Sequence, residues 1–238
     1  MKNFFLSLKT TVWTLLGLVI LFFIGSYMMP MHRELFSSMN DGILFDWVEQ
    51  VALRNLGQTW WFFAALAGLI LLTINTIVCS LQAVRGKWSR ADFLLRISPQ
   101  IIHLGVLFIL LAHLLGAAGG YRLSGTLPEM ASAPLPEDRA IYVRNISATV
   151  DGNGYLTDWS AAVYIMEKGE RVKVGILGPN QPLFYKGVGF YLKSLSNDGI
   201  PVAHLMVNKD PGAIWALIGS VLLMLGSITL LALKWKKA

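Results

Sequence analysis

Four histidines, His32, His103, His113 and His204, are the side chains of this sequence best suited to chemistry. Two of them, His103 and His113, lie within an uncharged apolar run, Ile101–Ala118. An ionisable side chain in such a run is costly in a membrane and faces a protein interior, a cavity or a ligand. A neutral imidazole can ligate a metal or a haem iron. It can equally make a hydrogen bond between helices, worth about 0.6 kcal/mol on average. Ten residues separate His103 from His113, a rise of about 15 Å on a helix, and at about 100° per residue they point to different faces. One iron therefore cannot take both as opposed axial ligands. If His103 binds a haem, its opposite ligand must come from another helix or another protein. His32 and His204 read as solvated or core histidines.

The remaining polar residues offer less. Cys79 stands alone, which excludes a disulfide framework, a CxxC pair and a CxxCH haem-attachment motif. It reads as a small buried hydrophobe. Asn75, in the same apolar run, is expected to hydrogen-bond a neighbouring helix. Trp60-Trp61 reads as an interfacial anchor. No HExxH, EF-hand, G-x-S-x-G, P-loop or G-x-G-x-x-G pattern is present, so no metal site of known spacing and no catalytic constellation is expected.

The elements that must position these residues are mostly membrane spans. Of the 238 residues, 55% are hydrophobic and 14% charged, against about 45–50% and 25% in soluble domains. Four uncharged runs, Thr11–Met29, Trp60–Leu81, Ile101–Ala118 and Ala213–Leu233, each have the length of a spanning helix. The first is too long for a signal-peptide core and has no A-x-A-like site after it, so it is expected to be retained. Small residues at Gly116–Gly120 suggest close helix packing.

Between the third and fourth runs, residues 119–212 carry turn signals at Asp151-Gly152-Asn153-Gly154, Lys168-Gly169-Glu170, Gly178-Pro179-Asn180 and Asn197-Asp198-Gly199. Short β-type runs separate them: Ala140–Val150, Ser160–Met166, Arg171–Leu177, Gly187–Leu195 and Val202–Val207. This predicts a small all-β domain inserted between helices three and four of a four-helix membrane protein. Residues 1–118 would hold the first three spans and 213–238 the fourth with its basic tail. Loop 30–59 is expected to hold an amphipathic helix with Ile43, Leu44, Trp47, Val48 and Val51 on one face.

The formal charge of +6 divides into +8 on the N-terminal tail, the loop between spans two and three and the C-terminal tail; −2 on loop 30–59; and 0 on 119–212. The basic side includes Lys2, Lys9, Arg85, Lys87, Arg90, Arg96, Lys234, Lys236 and Lys237. By the positive-inside rule both termini are cytoplasmic and the β domain lies outside. The basic excess marks orientation in a lipid bilayer and does not call for a nucleic-acid partner.

Three spans, an outside β domain and a last span resemble the layout of the ResB/CcsB family of cytochrome c biogenesis proteins (system II), in a short form. Local stretches resemble it too: Asn75-Thr76-Ile77-Val78-Cys79-Ser80-Leu81, His103-Leu104-Gly105-Val106-Leu107 with Leu114-Leu115-Gly116, Pro179–Gly187 with Phe190-Tyr191, and Lys209-Asp210-Pro211-Gly212. The resemblance implies a subunit that works with a CcsA/ResC-like, tryptophan-rich membrane partner to deliver haem for attachment to apocytochrome c outside the cytoplasmic membrane. The tryptophan-rich motif is absent from this chain, which implies part of a haem lyase complex and no independent activity. His103 matches the family's proposed axial ligand for a transiently bound b-type haem. His113 falls where the family has a small residue, and is kept as a second cofactor-binding candidate on its position alone. Two readings compete: a structural assembly factor whose β domain holds apocytochrome or a partner subunit, and a free-standing haem b carrier, which lacks the histidines on other spans that it would need.

Overall fold

The computed structural model describes residues 7–39, 42–85, 93–152, 156–197 and 201–235. Lys2, Lys87, Arg90, Lys236 and Lys237, and the turn residues Asn153-Gly154 and Asp198-Gly199, lie outside them. The chain divides into two compact units, residues 1–118 with 211–238, and residues 119–210.

The first unit is helical. Its long helices are α1 (Leu8–Met31), α4 (Leu56–Arg85), α5 (Phe93–Gly119) and α6 (Ala213–Trp235), with a short α2 (Arg33–Phe36) and α3 (Leu44–Trp47) between the first two. The four long helices have 24, 30, 27 and 23 residues and mean hydropathies of 2.1 to 2.3, enough in length and composition to cross a membrane. All four predicted spans are present and longer than expected. Helix α5 begins eight residues before Ile101 and runs through Pro99, and α1 runs through Pro30. Charge and proline, used to bound the apolar runs, do not end a helix by themselves in a spanning segment. In loop 30–59 the expected amphipathic helix is only α3, continued by a single π-helical turn, Val48–Ala52.

The helices meet in antiparallel pairs through small residues. An added Cβ on Gly25 would collide with the Trp61 ring, and one on Gly68 would meet Leu18 at 2.9 Å. Two turns further along α1 and α4, Thr11 Oγ1 donates to Asn75 Oδ1 at 3.0 Å, the interhelical bond expected of Asn75. Between α5 and α6, a Cβ on Gly105 would lie 2.7 Å from the Gly219 carbonyl oxygen, and one on Gly226 3.0 Å from that of Ser98. A Cβ on Gly212 would overlap the Ala112 backbone. Phe108 and Trp215 stack at 5.6 Å beside this seam. Trp61 corrects an expectation. It is buried among Phe36, Phe62 and Gly25, so it fills the packing gap that the glycine leaves, while Trp60 alone remains exposed.

The second unit contains eight strands, which follow α5 and precede α6 in chain order. They are β1 (Tyr121–Pro128), β2 (Ser132–Leu135), β3 (Arg139–Val150), β4 (Leu156–Glu167), β5 (Glu170–Leu177), β6 (Leu183–Tyr185), β7 (Val188–Asn197) and β8 (Pro201–Lys209). Two four-stranded antiparallel sheets, β1-β8-β7-β6 and β2-β3-β4-β5, enclose one core. Ile141, Val143, Val163 and Ile165 meet Val188, Phe190, Leu205 and Val207 there. Period-two alternation put these residues on one face of each strand. The five predicted strands are found; β1, β2 and β6 were missed. All three are sheet edges, where short length and Pro128 or Pro134 are tolerated and blur the alternation. The turns Lys168-Gly169 and Lys186-Gly187 have both residues at positive φ, 52° and 83°, 46° and 76°, as two-residue hairpins require.

Candidate functional site

Helices α4 and α5 bring together two of the stretches that carried the family resemblance. Ser80, the last residue but one of the Asn75–Leu81 stretch, faces His103 at the head of the other, with Ser80 Oγ and His103 Nδ1 3.0 Å apart. The ring is half-buried. Among the described residues its Nε2 has no hydrogen-bond partner. A hydrogen bond at one ring nitrogen fixes the orientation of the ring and leaves the other nitrogen free to ligate. The contact realises the interhelical hydrogen bond that was one of the two expectations for this histidine.

His113 is placed elsewhere. It lines an apolar groove of about 620 Å³ with Val48, Leu66, Ile70, Leu110 and Leu114, and His103 does not line it. The structure does not bring the two histidines together. His32 sits at the end of α1, its Nδ1 3.2 Å from the Met28 carbonyl oxygen. His204 on β8 has its Nε2 3.2 Å from Ser196 Oγ on β7. Both match the bland reading. Among the described residues no group of three or more His, Cys, Asp or Glu side chains could hold a metal ion.

The β unit contains a charged cluster that sequence reasoning missed. Glu167 accepts from Lys186 Nζ at 2.7 Å, from Arg139 Nε at 3.1 Å and from Tyr185 OH at 3.2 Å. Arg139 also pairs with Glu137 at 2.9 Å, and Glu137 with Lys209. The cluster ties β3 and β4 of one sheet to β6 and β8 of the other, and it includes Tyr185-Lys186 of the Pro179–Gly187 stretch. Its acids and bases are scattered over 73 positions of sequence, and no spacing rule links them. The Lys186 ammonium, then the Arg139 guanidinium, hold the Glu167 carboxyl down from 4.5 to about 2. Its hydrogen bond to Glu167 raises Lys186, and the bond from Lys209 lowers Glu137. Burial, then the Glu137 charge, raises the Tyr121 phenol. The Tyr121 hydroxyl and Arg139 Nη1 are buried without hydrogen-bond partners.

No protein-family model matches the chain. Curated relatives do. It is 26% identical over 137 residues to the cytochrome c biogenesis protein CcsB of Thermosynechococcus vestitus. It is 25% identical over 138 residues to CcsB of a Synechococcus species, and 25% over 139 residues to CcsB of a Nostoc species. Each match covers 52% of this chain, and the chain spans about 30% of the length of these relatives. A solved structure, the cytochrome c haem lyase CcmF, superposes on 69% of this chain and 29% of its own, with 14% identity and a TM-score of 0.44. The CcsB relatives support, at modest identity, the resemblance to the ResB/CcsB family drawn from the sequence motifs, and with four spanning helices the chain is a multi-pass membrane protein.

Proposed function

We propose that this chain is a ResB-like subunit of a membrane cytochrome c maturation complex, and that it holds haem through His103 for covalent attachment to apocytochrome c outside the cytoplasmic membrane. The observation that carries this reading is the Ser80–His103 contact. His103 would hold the iron through Nε2, with Ser80 orienting the ring through Nδ1. Haem would supply the group to be transferred; the chain's own part is to bind and orient it. His113, which lies elsewhere on the same helix, would not hold the same haem, so a CcsA/ResC-like partner is the proposed source of any further ligand. The basic residues at the ends of α1, α4, α5 and α6 support cytoplasmic termini and an extracytoplasmic β domain over 119–212. The chain has no proposed catalytic residue of its own.

The test is the absorption spectrum of the chain co-purified with its CcsA/ResC-like partner. His103→Ala is expected to strip the complex of most of its haem, and added imidazole to restore part of it. Ser80→Ala is expected to keep the haem but shift its reduction potential, because the ring loses its fixed orientation. Haem content unchanged in His103→Ala would remove His103 from the proposal.

A further inference from the structure

The outer face of the sheet β2-β3-β4-β5, which turns away from the core, has a composition that neither the charged cluster nor the haem reading uses. One register row crosses all four strands: Ser132, Tyr142, Tyr164 and Val174 are successive partners. Tyr142 and Tyr164 stack with centroids 5.9 Å apart and planes 5° from parallel. In the neighbouring row Ala162 pairs with Ile176. Val174 and Ile176 are 55% and 65% exposed, on an edge strand.

Two guanidinium groups flank this apolar surface. Arg171 lies 5.0 Å and Arg144 5.9 Å from the centroid of the Tyr164 ring. Both belong to irregular places in the ladder. Arg144 is the extra residue of the bulge between Val143 and Asn145, and Arg171 adjoins the bulge that skips Val172. Bulges re-aim side chains and cluster near functional surfaces. Among the described residues neither arginine has a carboxylate within ion-pair distance, whereas Arg139 has two. The face also carries a depression of about 680 Å³ lined by Tyr142, Tyr164, Met166, Arg139 and Arg171, with Asp138 its one acid.

We propose that this face docks an acidic, extended segment of a protein partner. Its carboxylates meet Arg144 and Arg171, and its apolar or aromatic side chains lie on Tyr142, Tyr164, Val174 and Ile176. Charge complementarity selects the occupant: the two cations lack internal partners, and their stacking on Tyr164 holds them in place, so less side-chain entropy is lost on binding. Tyrosine and arginine are the residues enriched in protein interfaces. The proposal stands apart from His103; a complex without haem leaves it intact.

The test uses the full chain in nanodiscs of zwitterionic lipid and a short labelled peptide of alternating glutamate and phenylalanine, read by fluorescence anisotropy. Saturable binding that weakens with salt is expected. Exposed charge pairs are worth up to about fivefold each, so R144Q with R171Q together is expected to weaken binding roughly tenfold or more, with the melting temperature unchanged. Y164S, which removes the stacking surface, is expected to weaken it as well. The proposal is overturned if the peptide does not bind, if a glutamine–phenylalanine peptide binds as well, or if the double variant binds unchanged. It is also overturned if the nanodiscs instead capture phosphatidylglycerol vesicles through the two arginines and ignore the peptide, which assigns the face to a lipid surface.

Discussion

Glu167 shows how one carboxylate can be placed by three donors from two sheets. Its depressed pKa means that the folded state favours the ionised form more than the unfolded state does. That contribution to stability is present above the ordinary value of 4.5 and is lost as pH falls through the window from 4.5 to about 2. The melting temperature of the full chain in detergent, followed on the β-sheet signal, is expected to drop across this window. Glu167→Gln is expected to start lower and to flatten the drop; a wild-type profile in the variant would sink the assignment. At the same scale His103 was legible in the sequence, since an imidazole in an uncharged run stands out. Its partner Ser80 was not, because a serine in a spanning helix ordinarily bonds back to its own helix, as Ser98 does to the Leu94 carbonyl.

Helix pairing rests on a repeat of seven. Thr11, Leu18 and Gly25 on α1 face Asn75, Gly68 and Trp61 on α4. Ser98, Gly105 and Ala112 on α5 face Gly226 and Gly219 on α6 and Gly212 just before it. A seven-residue period keeps one side of each helix against its partner, and small side chains let the backbones approach, which supplies the dispersion contacts that hold helices together in lipid. The period is present in the sequence, although the adjacent small residues of Gly116–Gly120 are what stands out there. Close approaches fall at Gly105 and Ala112, because residues one or two turns apart line one seam while adjacent residues point around the helix. Gly219→Ala is expected to cost about 1–3 kcal/mol by overpacking, since the new Cβ would lie 2.7 Å from the Gly105 carbonyl oxygen. Gly17→Ala, with nothing within 4 Å of its Cβ, is expected to be neutral or slightly stabilising. Thermal melts of the two variants in one detergent compare them; equal melting temperatures would refute the seam.

At the scale of the molecule, the β unit carries its own core from Tyr121 to Val207, and its first and last strands lie side by side, with Tyr121 opposite Lys209. The chain therefore enters and leaves the sandwich at one place, as closely spaced domain termini do. Residues 119–210 expressed alone are expected to fold, giving a β-type circular dichroism spectrum and a single cooperative melt. A disordered spectrum would show that the unit needs the helices to fold.

The sequence by itself determined the four spans, the change from helical to strand periodicity near residue 119, and the histidine on α5, because each is a local pattern of hydrophobicity or charge. It also carried the family resemblance in short ordered stretches. The tertiary structure decided which face of each helix meets a neighbour, that Ser80 is the residue that meets His103, that Trp61 packs inward, and that Glu167, Arg139, Lys186 and Lys209 converge. Those depend on register between segments distant in the chain. Registers are set by the fit of whole surfaces, which no single stretch of residues contains.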